Sequence, residues 1–136
     1  MYKTILVPID LADLDKGRAT LDLAKKLGAD GGTIRLLNVV EDIPSYAAAE
    51  LPTGLVEKSV ANARKMLDGV AEAATGPVEV EVRAGHANSA ILAAAEDCGA
   101  DLIIIGSHRP GLQDYLLGST AGRVVRHSAC SVLVVR

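Results

Sequence analysis

Short apolar runs and helical spacings take turns along the chain. Thr4–Ile9, TILVPI, is a mostly apolar run closed by Asp10 and predicts a buried strand. Thr20, Leu23, Ala24 and Leu27 then fall on one helix face, and Gly28 is expected to end that helix as a left-handed C-terminal cap. Thr33–Val40, TIRLLNVV, reads as the second strand. Glu41–Pro52, EDIPSYAAAELP, is the longest stretch without a period. Val56, Val60, Ala63, Leu67, Val70 and Ala74 are spaced by four, three, four, three and four, which predicts an amphipathic helix of roughly five turns.

The second half repeats the rhythm. Val78–Arg83, VEVEVR, alternates strictly, with valines on one side and charges on the other, as suits a protected edge strand. Ile91, Ala94, Ala95 and Cys98 line a helix that starts near Asn88–Ser89 and ends at Gly99. Asp101–Gly106, DLIIIG, reads as a strand buried on both faces. A short helix follows Gly118 with Ala121, Val124 and Val125 inward, and Ser131–Arg136, SVLVVR, is the fifth strand. LGAD at 27–30 and CGAD at 98–101 mark two similar helix-to-strand joints, each expected to use its glycine as a left-handed cap.

Strands alternating with helices indicate βαβ units. The fold class expected is α/β: one domain over 1–136, a doubly wound five-stranded parallel sheet with helices on both faces, taken here in the order 3-2-1-4-5 that the family resemblance given below implies. Strand order then reverses between the first and fourth strands, and ligands bind such sheets beyond the carboxyl ends at the reversal. Those ends are Pro8-Ile9-Asp10 and Ile105-Gly106-Ser107-His108.

Composition narrows the chemistry. Phe and Trp are absent and Tyr occurs three times, so the core is aliphatic and no aromatic platform for stacking nucleic-acid bases is expected. The formal net charge of −3 argues against general binding to nucleic acid or to anionic membranes. The segment from Leu102 onward holds four arginines and one acid, net +3, which leaves −6 for the rest. A small basic region in an acidic chain suits a small anionic ligand. Cys98 and Cys130 have no metal-ligand spacing and read as small buried hydrophobes. No apolar run approaches the length of a membrane span and no leader pattern opens the chain, so membrane insertion is not expected and a cytoplasmic location is.

The stretch between the fourth strand and the last helix carries the chemistry. Gly106 and Gly111 permit close approach of backbone N–H groups to an anion. Gly118, Ser119 and Thr120 open a helix whose first amides attract phosphate, with the two hydroxyls adding hydrogen bonds. A simple turn and a plain N-cap at Ser119 are the competing readings. The segment has neither a lysine nor the Walker or Rossmann glycine pattern, which disfavours phosphoryl transfer by P-loop parts. Asp10 is placed to accept from ribose hydroxyls, or to hold a metal through water, or to cap a local turn. Val39 and Val40 offer backbone groups to an adenine edge, or are core. Arg109 offers a fork of donors to a phosphate. His108 neighbours the phosphates as a loop-packing residue without a partner for catalysis. His86 is placed to cap its helix and His127 to lie on the surface.

The motifs ILVPID, LLNVVED and, above all, DLIIIGSHRPGLQDYLLGSTAGRVVRHSACSVLVVR make the whole chain resemble the universal stress protein family. The resemblance implies the 3-2-1-4-5 sheet, homodimerisation and, in one branch, ATP binding through Gly-x-x-Gly, nine residues, then Gly-Ser/Thr. Here Arg109 stands where the second glycine is expected, and eight residues separate it from Gly118. The loop is similar to that of a bacterial subgroup in which nucleotide binding is still found. Gly106, Gly118, Ser119 and Asp10 carry over, with Pro8, Ile9, Ser107, His108, Gly111 and Thr120 beside them. The expected ligand is ATP or AMP, with Mg²⁺ arriving on the phosphates and no protein-only metal site. The expected role is a non-enzymatic stress-response regulator with a protein partner that the sequence does not identify. The alternatives are a nucleotide-free interaction module, or a slow ATPase or autokinase modifying Ser119 or Thr120. Residues 41–52 are expected to form a flap over the nucleotide. The apolar strand Ser131–Arg136 is expected to pair with its own copy.

Overall fold

The structure, a computed structural model, describes residues 1–41, 54–107 and 118–136. The stretch read as a flap lies outside the described residues apart from Glu41, as do His108, Arg109 and Gly111. Strands and helices alternate as β1 (Tyr2–Pro8), α1 (Leu14–Leu27), β2 (Gly28–Val40), α2 (Leu55–Ala73), β3 (Glu79–Ala84), α3 (Ala87–Cys98), β4 (Leu102–Gly106), α4 (Ser119–His127) and β5 (Ser131–Val135). The strands form one parallel sheet of order β3-β2-β1-β4-β5, the order that the family resemblance implies.

Alternation along the central strands builds two aliphatic layers. Ile5, Val7, Leu36, Leu102 and Ile104 pack with Leu21 and Ala24 of α1 and Leu67 and Val70 of α2. Leu6, Leu37, Ile103 and Ile105 pack on the other face with Ile91 and Ala94 of α3 and Ala121 and Val124 of α4. Each fully buried Leu, Ile or Val contributes about 1.5–3 kcal/mol relative to exposure. A sheet buried on both faces needs such continuous apolar runs, which is why β1 and β4 read as they do.

Two expectations are corrected. Gly28 is extended (φ −76°, ψ 145°) rather than left-handed, although its N–H still bonds the Ala24 carbonyl. It passes directly into pairing with Tyr2. The left-handed turn falls instead at Gly31 (φ 75°), inside a register shift between Tyr2↔Gly28 and Thr4↔Thr33. At the next residue a Cβ would lie 2.9 Å from the carbonyl oxygens of both Ala29 and Lys3, so only glycine fits at Gly32. Gly99, by contrast, is the left-handed cap expected (φ 67°, ψ 37°). The second correction is Val125, which is exposed, whereas Ala121 and Val124 are buried. The inward stripe of α4 is centred on those two, and Val125 lies at its margin.

The edge strand β3 carries its charges in a network. Arg35 donates to Glu79 and Glu81, and Arg83 to Glu81 and Asp97. At the amino ends of β1 and β4, the Asp101 carboxylate accepts from the backbone N–H groups of Lys3 and Thr4, both at 2.9 Å. The Asp101 N–H donates in turn to the Thr4 carbonyl at 2.9 Å. The bond from Lys3 above all holds the Asp101 carboxyl below its ordinary 3.8; burial opposes it, and the bond from Thr4 adds to it. A lowered folded value means that this stabilisation is complete above 3.8 and is lost as the pH falls through the folded value. Asp101→Asn is therefore expected to lower the melting temperature near neutral pH. The gap to wild type should shrink towards about pH 2. Calorimetry across that range checks this; a gap independent of pH would show that the carboxylate's charge is not what holds the two strands.

Candidate functional site

The ladders mark out a candidate site. β1 pairs with β2 as far as Pro8↔Leu37, and β4 with β5 as far as Gly106↔Val135. The β1–β4 ladder, between them, ends at Leu6↔Ile103. The two central strands therefore part over their carboxyl-terminal residues. The cleft between them has α1 starting on one face of the sheet and α4 on the other, because the two helices pack in opposite layers.

On the β1 side, Ile9 is part of the frame. Its N–H donates to the Leu37 carbonyl at 2.8 Å, its carbonyl accepts from Asn38 Nδ2 at 2.9 Å, and its side chain is buried. Pro8 ends the ladder and has no N–H to give. Asp10 stands at the rim, exposed. Its Oδ1 accepts from the Ala12 N–H at 2.9 Å, and its carbonyl accepts from the Asp13 N–H at 3.1 Å. The local turn thus uses one bond of a carboxylate that can accept about four.

Val39 and Val40 divide between two roles. Leu37 faces β1 with its backbone groups, so Val39, two residues on, faces the same way, past the end of β1. Val40 faces β3, where its carbonyl accepts the Gly85 N–H at 2.9 Å. The structure brings the Val39 backbone to the cleft and turns that of Val40 away from it.

On the β4 side the structure adds a residue that sequence reasoning missed. Lys16, in the first turn of α1, reaches over the sheet, and its Nζ donates to the Ser107 carbonyl at 2.7 Å. Its stem passes Gly106, where a Cβ would lie 3.1 Å from Lys16 Cε. Gly106 is not in the left-handed region, and a Cβ there would require the lysine stem to give way by a few tenths of an ångström. Ser107 is buried, and its N–H donates to the Val135 carbonyl at 2.7 Å. The partners are 91 residues apart in the chain, and only the β1-to-α1 crossover brings them together. The one hint in the sequence is Lys16 lying one helical turn ahead of Thr20.

Across the cleft, Gly118 is the N-cap of α4 and makes no side-chain cap. Its carbonyl accepts the first intrahelical bond, from the Gly122 N–H at 2.8 Å. The amides of Ser119, Thr120 and Ala121 precede that bond and carry the helix's positive end. Ser119 is thus the first helical residue, not the cap. His86 occupies the N-cap of α3 but contributes no side-chain bond to it. Cys98 and Cys130 are half-buried free thiols. Burial raises the Cys98 thiol above its usual range, with the nearby Arg35 charge opposing. Among the described residues no three His, Cys, Asp or Glu side chains gather to hold a metal, and no helix is long and apolar enough to cross a membrane. Among the described residues, the elements that border the cleft contribute the Lys16 ammonium, the amino terminus of α4 and the Asp10 carboxylate. That set suits an anion carrying hydroxyl groups.

A family model described as the universal stress protein family matches residues 1–136. Universal stress protein G of Escherichia coli O157:H7 is 32% identical over 142 residues, covering 100% of each chain. Universal stress protein A homolog 2 of Coxiella burnetii (strain RSA 493 / Nine Mile phase I) is 36% identical over 141 residues, 99% of this chain and 95% of that one. The solved structure of hypothetical protein MJ0577 superposes with a TM-score of 0.81 at 29% identity, covering 99% of this chain and 96% of that one. A universal stress protein solved in complex with cAMP shares the fold at a TM-score of 0.65 and 24% identity, covering 99% and 97%. With the family model spanning every residue, and relatives this similar along their whole length, the chain belongs to the universal stress protein family.

Proposed function

We propose that the cleft between β1 and β4 binds an adenine nucleotide, ATP or AMP, and that the protein is a cytoplasmic homodimer regulating a stress response through a protein partner. One observation carries the reading: the β1–β4 ladder ends at Leu6↔Ile103, short of the carboxyl ends from which Asp10 and Ser107 follow. In this arrangement the amides of Gly118, Ser119 and Thr120 take the phosphates, Asp10 accepts from the ribose and the Val39 backbone meets the base. Mg²⁺ would bind chiefly to the phosphates, with Asp10 as the carboxylate in reach through water. Binding without turnover is part of this proposal. The roles assigned to His108, Arg109 and Gly111 fall outside the described residues and stay part of this proposal.

Gly118→Val tests the site. Gly118 is extended (φ −61°, ψ 158°), a conformation any residue adopts, so the fold should persist. The added side chain should obstruct approach to the helix amides and weaken ATP by about 1.5–3 kcal/mol, at least about tenfold. Calorimetry with circular dichroism as the control reads this out, and undiminished affinity in a folded variant would reject the site.

The homodimer is proposed through β5, which pairs with β4 along one edge and is an edge strand of the sheet. Leu133 and Val135 lean on the α1–α2 layer, and Val132 and Val134 on the α3–α4 layer, all half-buried. Antiparallel pairing of two β5 edges would close about a two-fold axis. Leu133→Lys and Val134→Lys test the two faces, and Val134→Pro removes a backbone donor. Light scattering at micromolar protein should show a wild-type dimer and at least one variant shifted to monomer. A monomeric wild type, or a dimer that survives all three changes, would remove this interface.

A further inference from the structure

We infer that Lys16 is the cation of the polyphosphate subsite, and that it sets the preference of the cleft for a nucleotide by its number of phosphate charges. The inference rests on the nucleotide reading above and deepens it. The loop segment between β4 and α4 contains no lysine, so any ammonium group at the phosphates must come from elsewhere in the fold. Lys16 is where the topology allows one. It sits in the first turn of α1, which leaves β1 on one face of the sheet, while α4 starts on the opposite face. A ligand in the cleft between those two helix starts has the α4 amides on one side and Lys16 on the other.

The geometry is built rather than incidental. The stem lies against Gly106, the last residue of β4, where any side chain would crowd it. The ammonium is fixed by the carbonyl of buried Ser107, itself tied to β5 through Val135. A lysine held at both stem and head has lost most of its rotamer freedom before a ligand arrives, which lowers the entropy cost of using it. Ser107 takes one of three N–H donors, so an anion can be bound without breaking the existing bond.

The position also explains a departure from the loop pattern. The second glycine of the family's phosphate loop is replaced by Arg109 here. A fixed ammonium on the α1 side supplies favourable charge that does not depend on the backbone conformation of that loop. Each added phosphate brings another negative charge near it, so ATP gains more than AMP, and adenosine gains nothing. A partly buried charge is screened less by salt than surface charges are, so the preference should persist at physiological ionic strength.

Calorimetric titration of wild type, Lys16→Met, Lys16→Arg and Lys16→Gln with ATP, AMP and adenosine tests this. Met keeps the stem past Gly106 and removes only the charged head, and circular dichroism checks the fold. The expected result is that Lys16→Met weakens ATP by about tenfold to a hundredfold, weakens AMP less and changes adenosine by less than about twofold. Arg should recover much of the ATP affinity and Gln should not. If ATP and adenosine weaken alike, or if uncharged Gln restores binding, Lys16 acts only by holding Ser107 and the inference is overturned while the nucleotide reading stands. If wild type binds none of the three, the nucleotide reading fails, and inorganic tripolyphosphate then decides Lys16 by itself. Binding of tripolyphosphate that is lost in Lys16→Met would keep Lys16 as an anion ligand, and no binding would overturn it.

Discussion

The cleft exists because the direction of winding reverses between β1 and β4. Chain that leaves β1 enters α1 on one face of the sheet, and the element that follows β4 packs on the other. Neighbouring parallel strands whose continuations leave on opposite faces have a crevice beyond their carboxyl ends, and Pro8 has no N–H with which to extend the ladder. β1 and β4 accordingly pair only through Ile5↔Leu102 and Leu6↔Ile103. Asp101 fastens them at the amino end, through its carboxylate on Lys3 and Thr4. The pair is thus closed at one end and open at the other, and the open end receives both helix starts.

An aliphatic core keeps this geometry fixed. Five of the largest fully buried side chains are Ile5, Leu6, Leu37, Ile103 and Ile104, all on the strands that flank or form the cleft. Buried branched side chains in close-packed layers resist displacement, so the strand ends hold their places without a ligand. Ser107 extends that order to the sheet edge. Its carbonyl receives Lys16 and its N–H grips Val135, at the end of the strand proposed for dimerisation. One residue therefore belongs both to the cleft and to the anchoring of β5.

The layout was legible because β1 and β4 are nearly unbroken apolar runs and the helices carry periodic apolar faces. The runs at 4–9 and 101–106 state burial on both faces directly, and the strict alternation at 78–83 states an edge. Order and crevice followed from those runs and from the family motifs. Local backbone detail did not. Gly28 reads as a left-handed cap from composition, yet the left-handed residue is Gly31, because pairing with Tyr2 begins before the turn is complete. Val125 is apolar and correctly spaced, but a nine-residue helix buries only the centre of its stripe. Lys16 was invisible for a different reason. A lysine early in an amphipathic helix looks like any solvated charge, and only the crossover places it at Gly106 and Ser107.

The central claim is that the ligand occupies the parted ends of β1 and β4, and amide chemical shifts across an ATP titration test it most directly. The account predicts saturable changes concentrated at Val39, Asp10, Gly106, Ser107, Ser119 and Thr120. Lys3, Thr4 and Asp101, at the fastened end of the same strands, should stay where they are. Changes centred on β3 or on the outer surface of α2, with the parted ends unmoved, would contradict it.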